Sequence, residues 1–334
     1  MGTSSVAPNI ATTCCMPMPM VRGQLSRSSG ATTAPGSTVR PSPCKFHPRE
    51  CFTGEHYHPA SPRRGAPGVV GATQPPRTRQ RGTQRQVLAT LSRMDIVVRP
   101  NAVEVGVYAA ELIAPFAHAG ATLGLATGST PNPTYAELVR RHRENGLSFA
   151  GCEAFLLDEY VGLDPASEQS YYSTIRREFT SHIDIKDAKV HSLNGLASDL
   201  EAEARVYEAR IATAGGIDVQ ILGVGANGHI AFNEPPSALD SRTRMVDLHP
   251  VTVADNARFF DDEEQVPRQA LTQGVGTIME ARTIVLLATG ARKADAVHAL
   301  VEGPVTPACP ASALQQHPRT TIVLDEAAAA KLTR

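Results

Sequence analysis

The sequence predicts an α/β fold, a single doubly wound and mainly parallel sheet with helices on both faces (Rossmann-like), preceded by a disordered N-terminal arm. Three observations predict it. From Met94 onward, apolar β-rich runs alternate with helical patterns at the spacing of a parallel α/β architecture. Most of those runs are continuously apolar, as strands covered on both faces must be. Residues 1–93, by contrast, hold 12 of the 25 prolines among many Ser, Thr, Gly and Arg, with no sustained apolar periodicity. Such a segment cannot bury enough apolar surface to offset its ordering entropy.

The arm comes first in the chain and differs from the body in charge. It carries 12 Lys and Arg against only Glu50 and Glu55, a formal +10; from chain totals of 32 basic and 33 acidic residues this leaves 20 and 31 in the body, or −11. Its Arg-rich, acid-poor character matches an organellar transit peptide, while Met94 stands directly before the first strand and could be the native start. Both readings stay open. A secretory signal is disfavoured, because the early stretch has no long apolar core.

In the body, residues 94–334, strands are expected at Ile96–Val98, Thr122–Ala126, Ala154–Leu157, Val219–Gly223, Thr283–Ala288 and Thr321–Leu324. Helical patterns lie between them at Ala102–Ile113, Pro133–Glu144, Tyr171–Phe179, Leu200–Ala212 and Arg292–Val301. There is no internal repeat. Residues 94–334 are therefore expected to form one domain with its site at the carboxyl ends of the strands.

Composition excludes several classes. An acidic body lacks the basic face of a nucleic-acid binder, and no apolar run approaches the roughly 20 residues that span a bilayer. Neither nucleic acid nor membrane is an expected partner, and a cytoplasmic location is expected. Four of the six cysteines (Cys14, Cys15, Cys44, Cys51) lie in the arm, leaving Cys152 and Cys309, too few for a disulfide framework. Cys44, His47 and Cys51 lack a fourth ligand at a recognisable zinc spacing, so no metal is expected there.

Three segments carry chemistry. In Leu123-Gly-Leu-Ala-Thr127-Gly128-Ser129-Thr130-Pro131 an apolar strand runs into a hydroxyl-rich loop and then a helix. Gly128 permits close backbone approach, and free amides with the Thr127, Ser129 and Thr130 hydroxyls can surround an anion such as phosphate. A plain helix cap is the alternative. In Ala154-Phe-Leu-Leu-Asp158-Glu159-Tyr160 a buried strand ends in two carboxylates facing the crevice. Partial desolvation would raise Asp158 toward use as a general base, and a solvated loop carboxylate is the bland alternative. The third segment, Gly223-Val-Gly225-Ala-Asn227-Gly228-His229-Ile-Ala-Phe-Asn233-Glu234-Pro235, is the most specific. It presents an amide, an imidazole and a carboxylate within eight residues, so that Glu234 could orient His229 and support its protonated form. The spacing is wrong for a His-Glu-x-x-His metal helix.

These segments, in this order, resemble glucosamine-6-phosphate deaminases. The resemblance covers essentially all of residues 94–334 and includes Ser170-Tyr171-Tyr172, Ser241-Arg-Thr-Arg244, Asn256-Ala-Arg258-Phe-Phe, Ala270-Leu-Thr-Gln-Gly-Val-Gly276-Thr and Gly290-Ala-Arg-Lys293-Ala. It implies that His229, with Glu234 and the residue at 227, opens the pyranose ring, and that Asp158 moves a proton from C2 to C1 through an enolamine. Hydration and loss of ammonia then follow, with no cofactor. It also implies that Arg258 and Lys293 join residues 127–130 in holding phosphate, with Glu159 and Tyr171 at the sugar. The implied partner is a small sugar phosphate, and a homo-oligomer is compatible with the family. One departure is Asn227, where many members have Asp: an amide cannot share a proton with His229, so ring opening leans more on His229 and Glu234.

The nearest rival is 6-phosphogluconolactonase, whose segment resembles Gly-His-x-Ala-Ser-Leu-Phe-Pro where this chain continues Ile230-Ala-Phe-Asn-Glu-Pro235. A non-catalytic sugar-phosphate sensor would carry a helix-turn-helix ahead of this fold, and residues 1–93 show no such helix pair. Regulation is a further expectation. Family members activated by N-acetylglucosamine 6-phosphate bind it with basic residues in the segment matching Ser237 to Leu248. Here Arg244 is retained, but Val246 replaces a lysine and Asp247 adds a repulsive charge, and the chain ends at Lys331-Leu-Thr-Arg334, without the longer C-terminal segment of those members. No activation by that ligand is expected.

Overall fold

The computed structural model describes residues 94–333, apart from 261, 263 and 264. The expected disordered arm and the Cys44 to Cys51 cluster lie outside the described residues. The six expected strands are present as β1 (Asp95–Arg99), β2 (Thr122–Leu125), β3 (Glu153–Leu156), β6 (Val219–Gly223), β9 (Ile284–Ala288) and β10 (Thr320–Asp325). With the two-residue β5 (Val190–His191) they form a seven-stranded sheet, ordered β1-β10-β9-β6-β2-β3-β5, in which every pairing is parallel. Helices α1 (Ala102–His118), α2 (Asn132–Asn145), α3 (Tyr171–Glu178), α4 (Leu200–Thr213) and α7 (Ala294–Glu302) fall where the periodicity places them.

The strand order fixes where a ligand can bind. From β2 the chain steps outward through β3 and β5, then returns to place β6 on the other side of β2 and steps away through β9 and β10. The crevice outside the carboxyl ends of β2 and β6 is therefore the topological switch point. Those two strands pair over only Leu123↔Val219 and Gly124↔Gln220. The close approach depends on Gly124, because a Cβ there would fall 2.1 Å from Gln220 Oε1. A Gly124→Ala change would force the two central strands apart or eject the buried Gln220 amide.

Local chemistry starts and stops the helices. Asn101 caps α1 by accepting from the Val103 and Glu104 amides, Asp199 caps α4 through the Ala202 amide, and Gly146 at φ 70° ends α2 in the left-handed conformation. Helix α1 continues beyond its expected end at Ile113, through Pro115, and buries Ala117 in the core. Strands β2 and β9 are buried along their whole length. Each fully buried aliphatic side chain there contributes about 1.5–3 kcal/mol to the fold.

The expected single sheet is incomplete as a description. A second, antiparallel sheet of three strands is ordered β4 (Asp158–Tyr160), β8 (Gln269–Thr272), β7 (Arg244–Asp247). It has its own apolar cluster of Tyr160, Phe232, Leu248, Val253, Val266 and Ala270. After β3 the chain bends at Leu157 and leaves the parallel sheet for this one. Gln273 holds the bend, its amide donating to the Leu157 carbonyl (2.7 Å) and its side chain to the Leu156 carbonyl (2.9 Å). Short helices α5 (Pro250–Asn256), α6 (Val275–Met279) and α8 (Glu326–Ala329) complete the set.

Candidate active site

A cleft of about 870 Å³ opens at the switch point. Its walls come from the loop after β2, the bend into β4, the loop after β6, helix α5, and the turn after β9. Thr127, Gly128, Ser129 and Thr130 line it, with Arg258 and Lys293 from later in the chain. Gly128 has φ 102°, a conformation open to glycine at little cost. Arg258 is exposed, its guanidinium stacked 4.7 Å over the Phe259 ring. The turn bearing Lys293 is held by Asp325 at the end of β10, which accepts the Gly290 amide at 2.9 Å and also caps α8 through Ala328.

Asp158 lies in the cleft wall, and it is buried further than the partial desolvation expected of a strand-end carboxylate. It is 8% exposed, because β8 pairs with β4 and sets Thr272 opposite it. Desolvation, reinforced by the neighbouring Glu159 charge, pushes its pKa up to about 8. A carboxyl group in that state can take a proton near neutral pH and give it back.

His229 also lines the cleft, on a loop fixed from several sides. Its ring lies against Gly225, where a Cβ would fall 2.2 Å from the ring, and its carbonyl accepts the Gly225 amide. Behind the loop, Gly228 packs on Cys309, and the Ala311 amide donates to the Gly228 carbonyl at 3.0 Å. The loop is also joined to the small sheet. The Phe232 amide donates to Thr272 Oγ1 (3.1 Å), and Asn233 Nδ2 to the Gln273 carbonyl (2.7 Å). Residues 272 and 273 thus tie the Asp158 corner to the His229 loop.

Three expected roles need correction. Glu234 does not orient His229 by the hydrogen bonds it makes: its carboxylate accepts from Thr252 Oγ1 and from the His249 amide (3.0 Å), pinning the start of α5. Asn227 is exposed and turns back, its Oδ1 accepting the His229 backbone amide at 3.2 Å. It supports the loop rather than the cleft surface. Glu159 is 1% exposed and accepts the backbone amides of Tyr160 (2.9 Å), Tyr171 (3.0 Å) and Tyr172 (3.1 Å), so it caps the start of α3 instead of meeting a sugar. Tyr171 does reach the cleft, its hydroxyl donating to Tyr160 Oη (3.1 Å), which also accepts from Asn256 Nδ2 (2.9 Å).

Sequence reasoning missed Thr252, Asn256, Thr289 and Arg292, all of which line the cleft. A signal existed for Thr289. Ala288-Thr289-Gly290 after β9 repeats Ala126-Thr127-Gly128 after β2, and both turns open on the same cleft. No comparable pattern marks Thr252, and Asn256 stood in the Asn256-Ala-Arg258 match without a role; both line the cleft from the short helix α5.

The fold and cleft define a class: an α/β protein with a buried carboxyl group of raised pKa, an imidazole and a hydroxyl-rich loop at one switch point. More narrowly, the chain belongs to the family described as glucosamine-6-phosphate isomerases/6-phosphogluconolactonase, whose profile matches residues 102–323. It is 61% identical over 236 residues to a glucosamine-6-phosphate deaminase of Corynebacterium kroppenstedtii, covering 71% of this chain and 92% of that one. It is 53% identical over 240 residues to one of Rhodococcus opacus, covering 72% and 93%. Among solved structures, a monomeric glucosamine-6-phosphate deaminase matches with a TM-score of 0.70 and 41% identity, over 72% of this chain and all of that one. A 6-phosphogluconolactonase from Trypanosoma cruzi shares the fold at 22% identity and a TM-score of 0.59, over 73% of this chain and 98% of that one. No helix among the described residues is long and apolar enough to cross a membrane.

Proposed function

We propose that this chain converts glucosamine 6-phosphate and water into fructose 6-phosphate and ammonia. The observation that carries the reading is Asp158, a buried carboxyl group whose pKa is lifted to about 8 beside an anion-binding loop. In this reading the Thr127 to Thr130 loop, Arg258 and Lys293 hold the phosphate, the two cations supplying local positive charge in an acidic body. His229 moves a proton between the ring oxygen and the C1 hydroxyl, which opens the sugar to its aldehyde. Asp158, as carboxylate, removes the C2 proton while a proton passes from the substrate's C2 ammonium group to the C1 oxygen, giving a neutral enolamine. The protonated Asp158 then returns its proton to C1, leaving an iminium at C2. Water adds to C2, the C–N bond breaks, and ammonia leaves a ketone behind.

Hydrolysis of 6-phosphogluconolactone would need no proton transfer at carbon and would give a buried carboxyl at position 158 no C–H proton to move. The relatives at 53–61% identity bear the deaminase name, whereas the lactonase match at 22% supports the fold alone. The test is ammonia release from glucosamine 6-phosphate by the purified chain, run beside lactone hydrolysis. Ammonia release with no lactone turnover is expected, and the reverse pattern would overturn the reading.

A further inference from the structure

We propose that Asn132 and Glu178 are positioning residues that set the orientation of the anion-binding loop, acting on the peptide between Gly128 and Ser129. The proposal rests on the reading of residues 127–130 as the phosphate loop. Its starting point is that packing does not hold Gly128. A Cβ at that position would meet nothing within 4 Å, and φ 102° is one of several conformations open to glycine. The peptide after it is therefore free to rotate unless something ties it down.

Asn132 is that tie. In the orientation that satisfies both its neighbours, its amide nitrogen donates to the Gly128 carbonyl at 3.0 Å and to Glu178 Oε2 at 2.8 Å. In a trans peptide the C=O and N–H point in opposite directions. Holding the Gly128 oxygen on Asn132 consequently turns the Ser129 N–H away from Asn132, where an anion can take it. The arm that does this is stiff. Asn132 is the first residue of α2 and lies between Pro131 and Pro133, and Pro133 is packed so tightly on α1 that a Cβ on Gly106 would fall 2.5 Å from it.

The same prolines make the Ser129 N–H more valuable. Proline has no N–H, so positions 131 and 133 offer nothing to an anion, and the Thr134 and Tyr135 amides turn back to the Pro131 carbonyl (2.9 and 3.1 Å). Helix α2 thus brings few donors to the site, and the loop must supply them. Glu178, the last residue of α3, anchors the far end of the strut. Its carboxylate stands near an anion site, and the Asn132 donation keeps one oxygen occupied.

The test uses the full chain and two ligands, inorganic phosphate by calorimetry and glucosamine 6-phosphate by steady-state kinetics. Asn132→Ala is expected to raise the Kd for phosphate and the KM about five- to tenfold, the worth of one hydrogen bond, with kcat little changed. Glu178→Gln keeps an acceptor oxygen and should bind phosphate like the parent chain, whereas Glu178→Ala should weaken it in the direction of Asn132→Ala. A residue that only stabilised the fold would lower the melting temperature without that split between KM and kcat and without rescue by Gln. Unchanged phosphate affinity in Asn132→Ala, or a loss confined to kcat, would overturn the proposal. If Asn132→Ala does not fold, the contrast between Glu178→Ala and Glu178→Gln decides in the same terms. A parent chain that fails to bind phosphate would overturn the loop reading and this one together; a parent that binds and an Asn132→Ala that binds equally would overturn this one alone.

Discussion

The two sheets of the molecule divide the work of the site. The seven-stranded parallel sheet supplies position: its strand order puts the loops after β2 and β6 side by side and opens the cleft between them. The three-stranded antiparallel sheet supplies environment, since pairing of β4 with β8 takes Asp158 out of water and moves its pKa to about 8. A carboxylate at the end of a parallel strand alone would be only partly desolvated and a weaker base. The difference teaches that Asp158, the proposed base, sits where the chain passes from one sheet to the other, and each sheet can be tested against the other.

The largest effect should come from the residue at that passage. Asp158→Asn should lower ammonia release by at least roughly a hundredfold, the lower end of a general-base contribution. The same change tests the environment argument through stability. A carboxyl group with a folded pKa above its unfolded value contributes stability at pH below the unfolded value, and that contribution is lost as pH rises through the folded value. The parent chain should therefore melt lower at pH 9 than Asp158→Asn by several degrees, with the gap closing toward pH 4. Full activity of a folded Asp158→Asn would remove Asp158 as the base. A gap that does not vary with pH would show that the small sheet does not desolvate it.

His229→Ala probes the parallel-sheet loop in turn. It should slow turnover of closed-ring sugar by roughly a hundredfold and of freshly generated open-chain aldehyde far less, because the aldehyde bypasses the step assigned to the imidazole. Equal losses on both forms would contradict that role. A smaller effect follows from pH alone. With Asp158 titrating near 8 in the free chain, kcat/KM should fall about tenfold per unit below that pH and level off above it. A flat profile between pH 6 and 9 would break the link between the small sheet and the base.

The contrast between the sheets also explains what could be read in advance. Strands β2, β3, β6 and β9 were legible because burial on both faces makes them largely apolar, and with β2, β3 and β6 came the strand-end positions of Thr127, Asp158 and His229. Strands β4, β7 and β8 are three or four residues long and carry Asp158, Glu159, Arg244, Asp247 and Gln269, so neither an apolar run nor a clean alternation marks them. Partial desolvation of Asp158 was expected, but its full extent was illegible for the same reason: the residue opposite it, Thr272, lies more than a hundred positions away in the chain. Glu159, Asn227 and Glu234 were misassigned because their partners are backbone amides, in Glu234's case joined by the Thr252 hydroxyl, and sequence spacing does not reveal such partners.

The smallest expected effect, none, concerns regulation, and the small sheet argues it. Arg244, retained from the effector-binding segment of activated family members, stands on β7 with its guanidinium turned inward. It donates to Asn233 Oδ1 at 2.9 Å and to the Arg242 carbonyl at 3.3 Å, and burial lowers its pKa. Asn233 in turn is fastened to the Gln273 carbonyl, so Arg244 is committed to the clamp behind the His229 loop. Two positions on, where those members have lysine, Val246 packs against the small sheet's apolar cluster. Asp247 follows it and would repel a phosphate, although Gln269 donates to one of its oxygens. An incoming anion would have to draw Arg244 away from the buried Asn233 without the lysine that activated members carry in place of Val246, and hydrogen bonds to charged groups are each worth about 1.5–3 kcal/mol. Turnover should therefore be hyperbolic in glucosamine 6-phosphate and unchanged by millimolar N-acetylglucosamine 6-phosphate. A sigmoidal curve made hyperbolic by that ligand would show that the small sheet carries regulation as well as environment.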